Sequence, residues 1–368
     1  MWGPASRIRL PMAWRAPTIL RMTDRERDDI IGPLLREVSR SFYLTLRILP
    51  PELRPAISLA YLFARASDTI ADTRVVPRDR RRELLLRFRQ QFERGASADD
   101  LALIRADLAP RQSLPAEKRL LERLDDCFAL LGTLPIEDRR RIGELLGVIT
   151  RGQEGDLVQF PGESEGELAS FQTEQQLDEY TYAVAGCVGE FWTKMCVAHI
   201  PASRAWDQAR MVELGIRFGK GLQLTNILRD IPKDLRIGRC YLPRQQLAEV
   251  GLEAADLLSA GAVTRFRPLH CRYLDLTLEH LDCGWRYTLA IPPLLWRLRL
   301  ACAWPIFIGL KTIGRLRHSE DVLDPARRVK ATRGEVYRIM VWSLLICRAD
   351  TLLQAMFDRL RNAAAGKG

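Results

Sequence analysis

Two carboxylate pairs, Asp68 with Asp72 and Asp230 with Asp234, stand four residues apart in stretches that are otherwise apolar. At helical spacing both members of a pair share one face, where like charges repel by a few tenths of a kcal/mol. Spacing alone is a weak signal, because Asp24 with Asp28 and Glu163 with Glu167 repeat it in stretches so polar that a solvated helix face explains them. The first apolar segment, AISLAYLFARASDTIA from Ala56 to Ala71, has a single polar stripe: Tyr61, Arg65, Asp68 and, just beyond, Asp72. The second, Leu214 to Asp234, repeats the design with Lys220, Gln223, Asn226, Asp230 and Asp234.

Carboxylates buried in such helices must be paired, protonated or bound to metal, since an isolated buried charge costs many kcal/mol. One reading is structural, a buried ion-pair network in which Arg65 satisfies Asp68. The other is a magnesium site. Mg²⁺ takes oxygen ligands, keeps several waters, and is commonly held by one or two carboxylates together with substrate phosphates. Two facing acidic helices with arginines nearby would clamp a diphosphate and stabilise its departure.

The elements that must carry these residues are helices. Leu, Ala, Arg and Glu fill long stretches such as 78–93, 118–134 and 336–360, and prolines such as Pro50, Pro77, Pro115, Pro135, Pro201 and Pro243 mark the breaks. Strand alternation, Asn-Gly hairpin signals and fixed-period repeats are absent. Length would allow two domains, but no linker divides the chain, so the expectation is one helical domain over 29–360, with a basic disordered tail at 1–28 and a disordered end at 361–368. The tail has four arginines and no acid through Met22, without the continuous apolar core of a secretory signal; a membrane-surface anchor, or a start at Met12 or Met22, are its other readings.

Eight cysteines without C-x-x-C spacing and four histidines in no ligand box point to reduced thiols in a cytoplasmic protein. The stretch 291–310 contains three prolines, Arg297 and Arg299, and reads as a core helix with a break rather than a membrane span. A net charge of +10 suits anionic partners. Nucleic acid is excluded by the lack of a reading motif or aromatic interleaving, and the basic run 78–94 reads as a solvated helix face. Gly219 to Gly221 fails as a phosphate loop, being one residue short from Gly215 and lacking a Ser or Thr after Lys220.

At the level of motifs the chain resembles the squalene and phytoene synthases over roughly residues 31–310. SRSF at Ser39 to Phe42 is similar to that family's flap over the diphosphate, and YLFARASDTIAD to its first aspartate-rich helix. YTYAVAGCVG from Tyr180 is similar to the segment with the family's catalytic tyrosine. QLTNILRDIPKD with the trailing GRCYLP is similar to its second aspartate-rich helix and loop. The resemblance implies an all-α fold, a single large helical bundle of the isoprenoid-synthase type around a central apolar cavity. It implies Mg²⁺–diphosphate binding by Asp68, Asp72, Asp230 and Asp234, helped by Gln223 and Asn226. Arg40, Arg65, Arg229 and Arg239 would hold phosphate oxygens, Ser39, Ser41 and Phe42 would line the flap, and Tyr180, with Tyr61, would act beside the carbocation.

The implied activity is head-to-head condensation of two farnesyl diphosphates through presqualene diphosphate to squalene, with NADPH supplying hydride. Phytoene or dehydrosqualene synthesis, without reduction, is the alternative, and a catalytically silent helical assembly factor is the alternative of another class. A water-insoluble product would favour loose peripheral membrane contact. Two departures stand out: Pro232 between the second pair of aspartates, expected to kink the helix and re-aim Asp234, and Glu190, an acid beside Phe191 and Trp192 where a pocket wall should be apolar.

Overall fold

The computed structural model describes residues 23–39, 42–320, 322–327 and 329–367. Among them the regular structure is helical, apart from one two-residue parallel ladder, β1 (Ala169–Ser170) with β2 (Arg239–Cys240). Helix formers, proline breaks and N-caps explain most boundaries. Thr23 caps a short helix, Asp24–Asp29, that begins inside the segment expected to be tail. The stretch 118–134 is broken at Arg123, and 336–360 at Cys347 to Ala349. At the other end a helix runs to Ala364, past the expected boundary at 360.

The described residues form two compact units, those up to 39 with 58–150, and 42–57 with those from 151 on. In the first, α1 (Arg54–Asp72, from Ser58 on) and α2 (Arg78–Arg94) bury an aromatic cluster. Phe63 packs edge-on against Phe92 at 4.9 Å between ring centroids and lies tilted against Phe128 at 4.7 Å. The basic run 78–94 is more than a solvated face. Arg81 is fully buried, its Nε donating to the Val76 carbonyl at 3.0 Å and its Nη1 to the Ala71 carbonyl at 2.7 Å. A cation at the C-terminal end of a helix opposes the partial negative charge there, so Arg81 fixes the turn of α1 on which Asp72 sits.

In the second unit, α3 (Glu174–Thr181) leads through a wide π-turn, Tyr182–Gly186, into α4 (Cys187–His199). Then come α5 (Gln208–Leu235), α6 (Val263–Leu289), α7 (Trp296–His318), α8 (Arg333–Ile346) and α9 (Asp350–Ala364). Helix α5 lies innermost, packed against α4, α6 and α7. Its approach to α4 is backbone on backbone. A methyl group at Gly189 would stand 1.8 Å from the Gly215 carbonyl oxygen, and one at Gly219 2.2 Å from that of Ala185. This is why glycines recur in both the AGCVG and FGKG stretches. Trp285 stacks on Phe357 at 4.5 Å and donates its indole N–H to Gln354, holding α9 on α6. Pro293–His318 contains a helix long and apolar enough to cross a membrane, yet most of it is core. Arg299 within it is fully buried and paired to Asp350 at 2.5 Å.

All eight thiols are free, and burial encloses all of them but Cys271, which is half-buried. Burial pushes the thiols of Cys127, Cys187, Cys196 and Cys240 up to about 12.

Candidate active site

In the first unit the polar stripe of α1 is present but not buried as expected. Asp72 is exposed and Asp68 keeps 43% of its side chain in solvent. The apolar flanks of the segment are core, while the stripe is the side turned to open space. Arg65 lies along it, half-buried, with Nη1 3.1 Å from Asp68 Oδ2 and Nη2 2.7 Å from Glu117 Oε1. Charge from Asp68, Tyr61 and Glu117 outweighs burial and raises the guanidinium further. Glu117 carries no helical phase relation to the stripe, so nothing local in the sequence marks it. Of the SRSF motif, Ser39 is buried with its hydroxyl donating to the Leu35 carbonyl, and Phe42 is half-buried. Arg40 and Ser41 lie outside the described residues.

In the second unit α5 runs unbroken through Pro232 to Leu235. The helix is not broken at Pro232, which is itself buried three residues before the helix ends, where only the hydrogen bond to Leu228 is forfeited. Gln223 is half-buried, and Asn226 is exposed. Lys220 Nζ pairs with Asp178 at 2.6 Å. Arg229 folds onto its neighbour Asp230 as a bidentate pair, Nε to Oδ1 at 3.0 Å and Nη2 to Oδ2 at 2.5 Å.

Asp234 stands apart. Burial, then the neighbouring Asp230, pushes its carboxyl up to about 7, against weaker opposition from Lys233 and Arg239. A carboxyl whose folded-state value is raised binds more protons folded than unfolded, so its contribution to stability is largest at low pH and falls as pH rises. The metal-free protein should therefore lose stability between about pH 4 and pH 7 through this group. Denaturant unfolding at a series of pH values in chelator measures it: Asp234→Asn should flatten that slope, and an unchanged slope would assign it elsewhere.

The β1–β2 ladder sets Ala169 beside Arg239 and Ser170 beside Cys240, and Gly238, at φ +81°, makes the turn out of α5 that starts it. Arg239 is thereby held with Nη1 3.1 Å from Oδ2 of the buried Asp156 and 3.5 Å from the Tyr241 hydroxyl. Tyr241 stacks on Tyr180 at 5.0 Å and 20°, with Phe160 and Phe171 completing an aromatic wall. Burial pushes both phenols well above their ordinary value. Tyr180 is therefore a neutral phenol at physiological pH, able to donate a proton in a hydrogen bond and to offer its π face to a cation. Tyr241 lies within the GRCYLP segment already singled out, though without a role of its own, whereas nothing local in the sequence ties Asp156 to Arg239.

Glu190 caps a local network, accepting from the Tyr182 hydroxyl at 3.0 Å and pairing with Lys194 at 2.6 Å. Its position across the π-turn explains an acid in that wall.

Among the described residues no group of three or more His, Cys, Asp or Glu side chains gathers as a metal cage. Pairs of carboxylates, oxygen-only and with arginines beside them, are the donor set that fits Mg²⁺ completed by a substrate's phosphates.

The family profile described as squalene/phytoene synthase matches residues 35–335. The chain belongs to the squalene/phytoene synthase family. Presqualene diphosphate synthase of Rhodopseudomonas palustris is 33% identical over 243 residues, covering 65% of this chain and 71% of the relative. A bifunctional lycopene cyclase/phytoene synthase of Arthroderma gypseum is 30% identical over 251 residues, 66% of this chain. This chain spans only 39% of that bifunctional relative's length. Chloroplastic phytoene synthase 1 of Arabidopsis thaliana is 25% identical over 344 residues, covering 90% of this chain and 68% of the relative. Among solved structures, TcSQS in complex with E5700 is similar with a TM-score of 0.70 at 20% identity, covering 94% of this chain and 98% of that one. A dehydrosqualene synthase has a TM-score of 0.58 at 18% identity, covering 91% and 99%. The isoprenoid-synthase fold expected from the motifs is thus shown.

Proposed function

We propose that this protein condenses two farnesyl diphosphates head to head through presqualene diphosphate to squalene, in an Mg²⁺- and NADPH-dependent reaction. The observation that carries the reading is the open α1 stripe, where Asp68 and Asp72 face solvent on a helix otherwise sunk in core. The fully buried ion-pair network that was the structural reading of this stripe is therefore not what α1 carries. Bound Mg²⁺ would supply positive charge to the departing diphosphate.

The chain's own residues do the rest. Asp68 and Asp72, and likewise Asp230 and Asp234, are the oxygen donors, with Gln223 and Asn226 as polar neighbours on α5. Arg65, already anchored by Glu117, offers a guanidinium to a phosphate oxygen. Arg229 would exchange its bidentate hold on Asp230 for phosphate. Arg239, oriented by Asp156, is a second fixed guanidinium. The wall of Phe160, Phe171, Tyr180 and Tyr241 excludes water and presents π faces where cationic charge develops. Tyr61, four residues before Arg65 on the α1 stripe, would offer a further phenol near the developing cation.

Tyr180→Phe keeps the ring stack and removes only the hydroxyl. It should lower turnover by about 10²-fold with the thermal midpoint nearly unchanged, and full activity would reduce Tyr180 to a wall residue.

A second reading, release of presqualene diphosphate as the end product, is favoured by the match to the Rhodopseudomonas palustris enzyme of that name. The purified protein with farnesyl diphosphate and Mg²⁺, with and without NADPH, separates them by mass spectrometry of the products. Squalene only with NADPH supports the first reading, and presqualene diphosphate under both conditions the second. Dehydrosqualene, or phytoene from geranylgeranyl diphosphate, would keep the condensation and overturn the reductive step. No diphosphate release from either substrate by folded protein would leave the silent assembly factor.

A further inference from the structure

Helix α8 is apolar on nearly every side, yet only half of it is covered. Val336, Ile339, Met340 and Ser343 face the core, with the Trp304 indole donating to Ser343 Oγ at 2.9 Å. The opposite side leaves Tyr337 62%, Val341 58%, Trp342 61%, Leu344 47% and Leu345 71% exposed. A helix of this composition belongs in a core or against lipid. The patch continues past the helix end. Arg299 donates to the carbonyls of Cys347 and Leu289 and pairs with Asp350, so one guanidinium ties the corner after α8 to the start of the turn that bears Leu294. Leu294 is 85% exposed and Leu352, on the first turn of α9, is 55% exposed. Isolated exposed apolar side chains are ordinary, but a contiguous group of this size marks an interaction surface.

The charges on this surface select the occupant. Exposed Arg333, Arg338 and Arg348 stand among the apolar side chains. Glu335, the one acid between 333 and 348, is engaged by Arg315 at 2.9 Å and by the Thr332 backbone N–H at 2.9 Å. A second copy docked through this face would set arginines against arginines. An anionic bilayer would not: leucines and valine enter the headgroup–acyl boundary, Trp and Tyr sit at the interface, and guanidinium groups meet lipid phosphates.

We propose that the outer face of α8, with Leu294 and Leu352, docks this protein on the surface of an anionic lipid bilayer. The inference goes beyond the condensation reading and does not depend on it. The test is flotation of the full chain with vesicles of phosphatidylcholine alone or doped with phosphatidylglycerol, for the wild type and for the double variant Trp342→Ser, Leu345→Glu. Wild-type protein should float with the anionic vesicles, less so at high salt. The variant should bind at least about tenfold more weakly, since each lost side chain would have buried substantial apolar area. Its thermal midpoint should match that of the wild type, because both positions are exposed. Failure of folded wild-type protein to float, or equal flotation of the variant, would overturn the proposal. So would a dimer, seen by light scattering, that the variant dissolves while vesicle affinity is nil.

Discussion

Asp68→Asn should cost roughly a thousandfold or more in diphosphate release, the scale expected when a charge aimed at a phosphoryl leaving group is lost. The change removes one negative charge at constant volume. The fold should hardly notice, because the ion pair it breaks is part-exposed, a class worth about 1 kcal/mol or less, and Arg65 retains Glu117. A steady-state diphosphate assay beside a thermal melt checks both halves. Activity near wild type would return the pair to a structural role, and a collapsed melt would mean that the stripe holds the unit together. Excess Mg²⁺ adds a further discriminant: a weakened metal site is partly rescued by it, whereas a broken ion pair is not.

Gly189→Ala should be among the most damaging single methyl groups that can be added to this chain. The new carbon would sit 1.8 Å from the Gly215 carbonyl oxygen, a backbone atom that cannot rotate aside. Helices α4 and α5 would have to part. Overpacking commonly costs 1–3 kcal/mol, and with two backbones displaced the loss should be about 3 kcal/mol or more. Gly334→Ala supplies the control, since no atom lies within 4 Å of its added carbon; it should be neutral or slightly stabilising. Denaturant midpoints of the two variants measure the contrast, and equal midpoints would mean that the helices are not so closely apposed.

The sequence made the helical class and the aspartate stripes plain, because both depend on short-range periodicity. Tyr61, Arg65, Asp68 and Asp72 recur at helical steps, and the helix obliges. Burial was misjudged for the same reason: flanking apolar residues fix where a helix is core but say little about the width of the strip left open. Pro232 does not break its helix, because it falls so near the end that only one internal hydrogen bond is forfeited. Glu117 and Asp156 were out of reach because each meets its partner through tertiary structure, Glu117 at a separation of 52 residues from Arg65. The two-residue ladder that delivers Arg239 and Tyr241 is too short to have a pattern at all.

The enclosed thiols turn the molecule into its own stopwatch. In the closed state a soluble alkylating reagent has one accessible target, Cys271, while the other seven are shut away, several with thiolates suppressed as well. Every further label counts an opening event. Because Cys127 belongs to the first unit, and Cys187, Cys196, Cys240, Cys283, Cys302 and Cys347 to the second, the order in which they react would time how often each unit breathes.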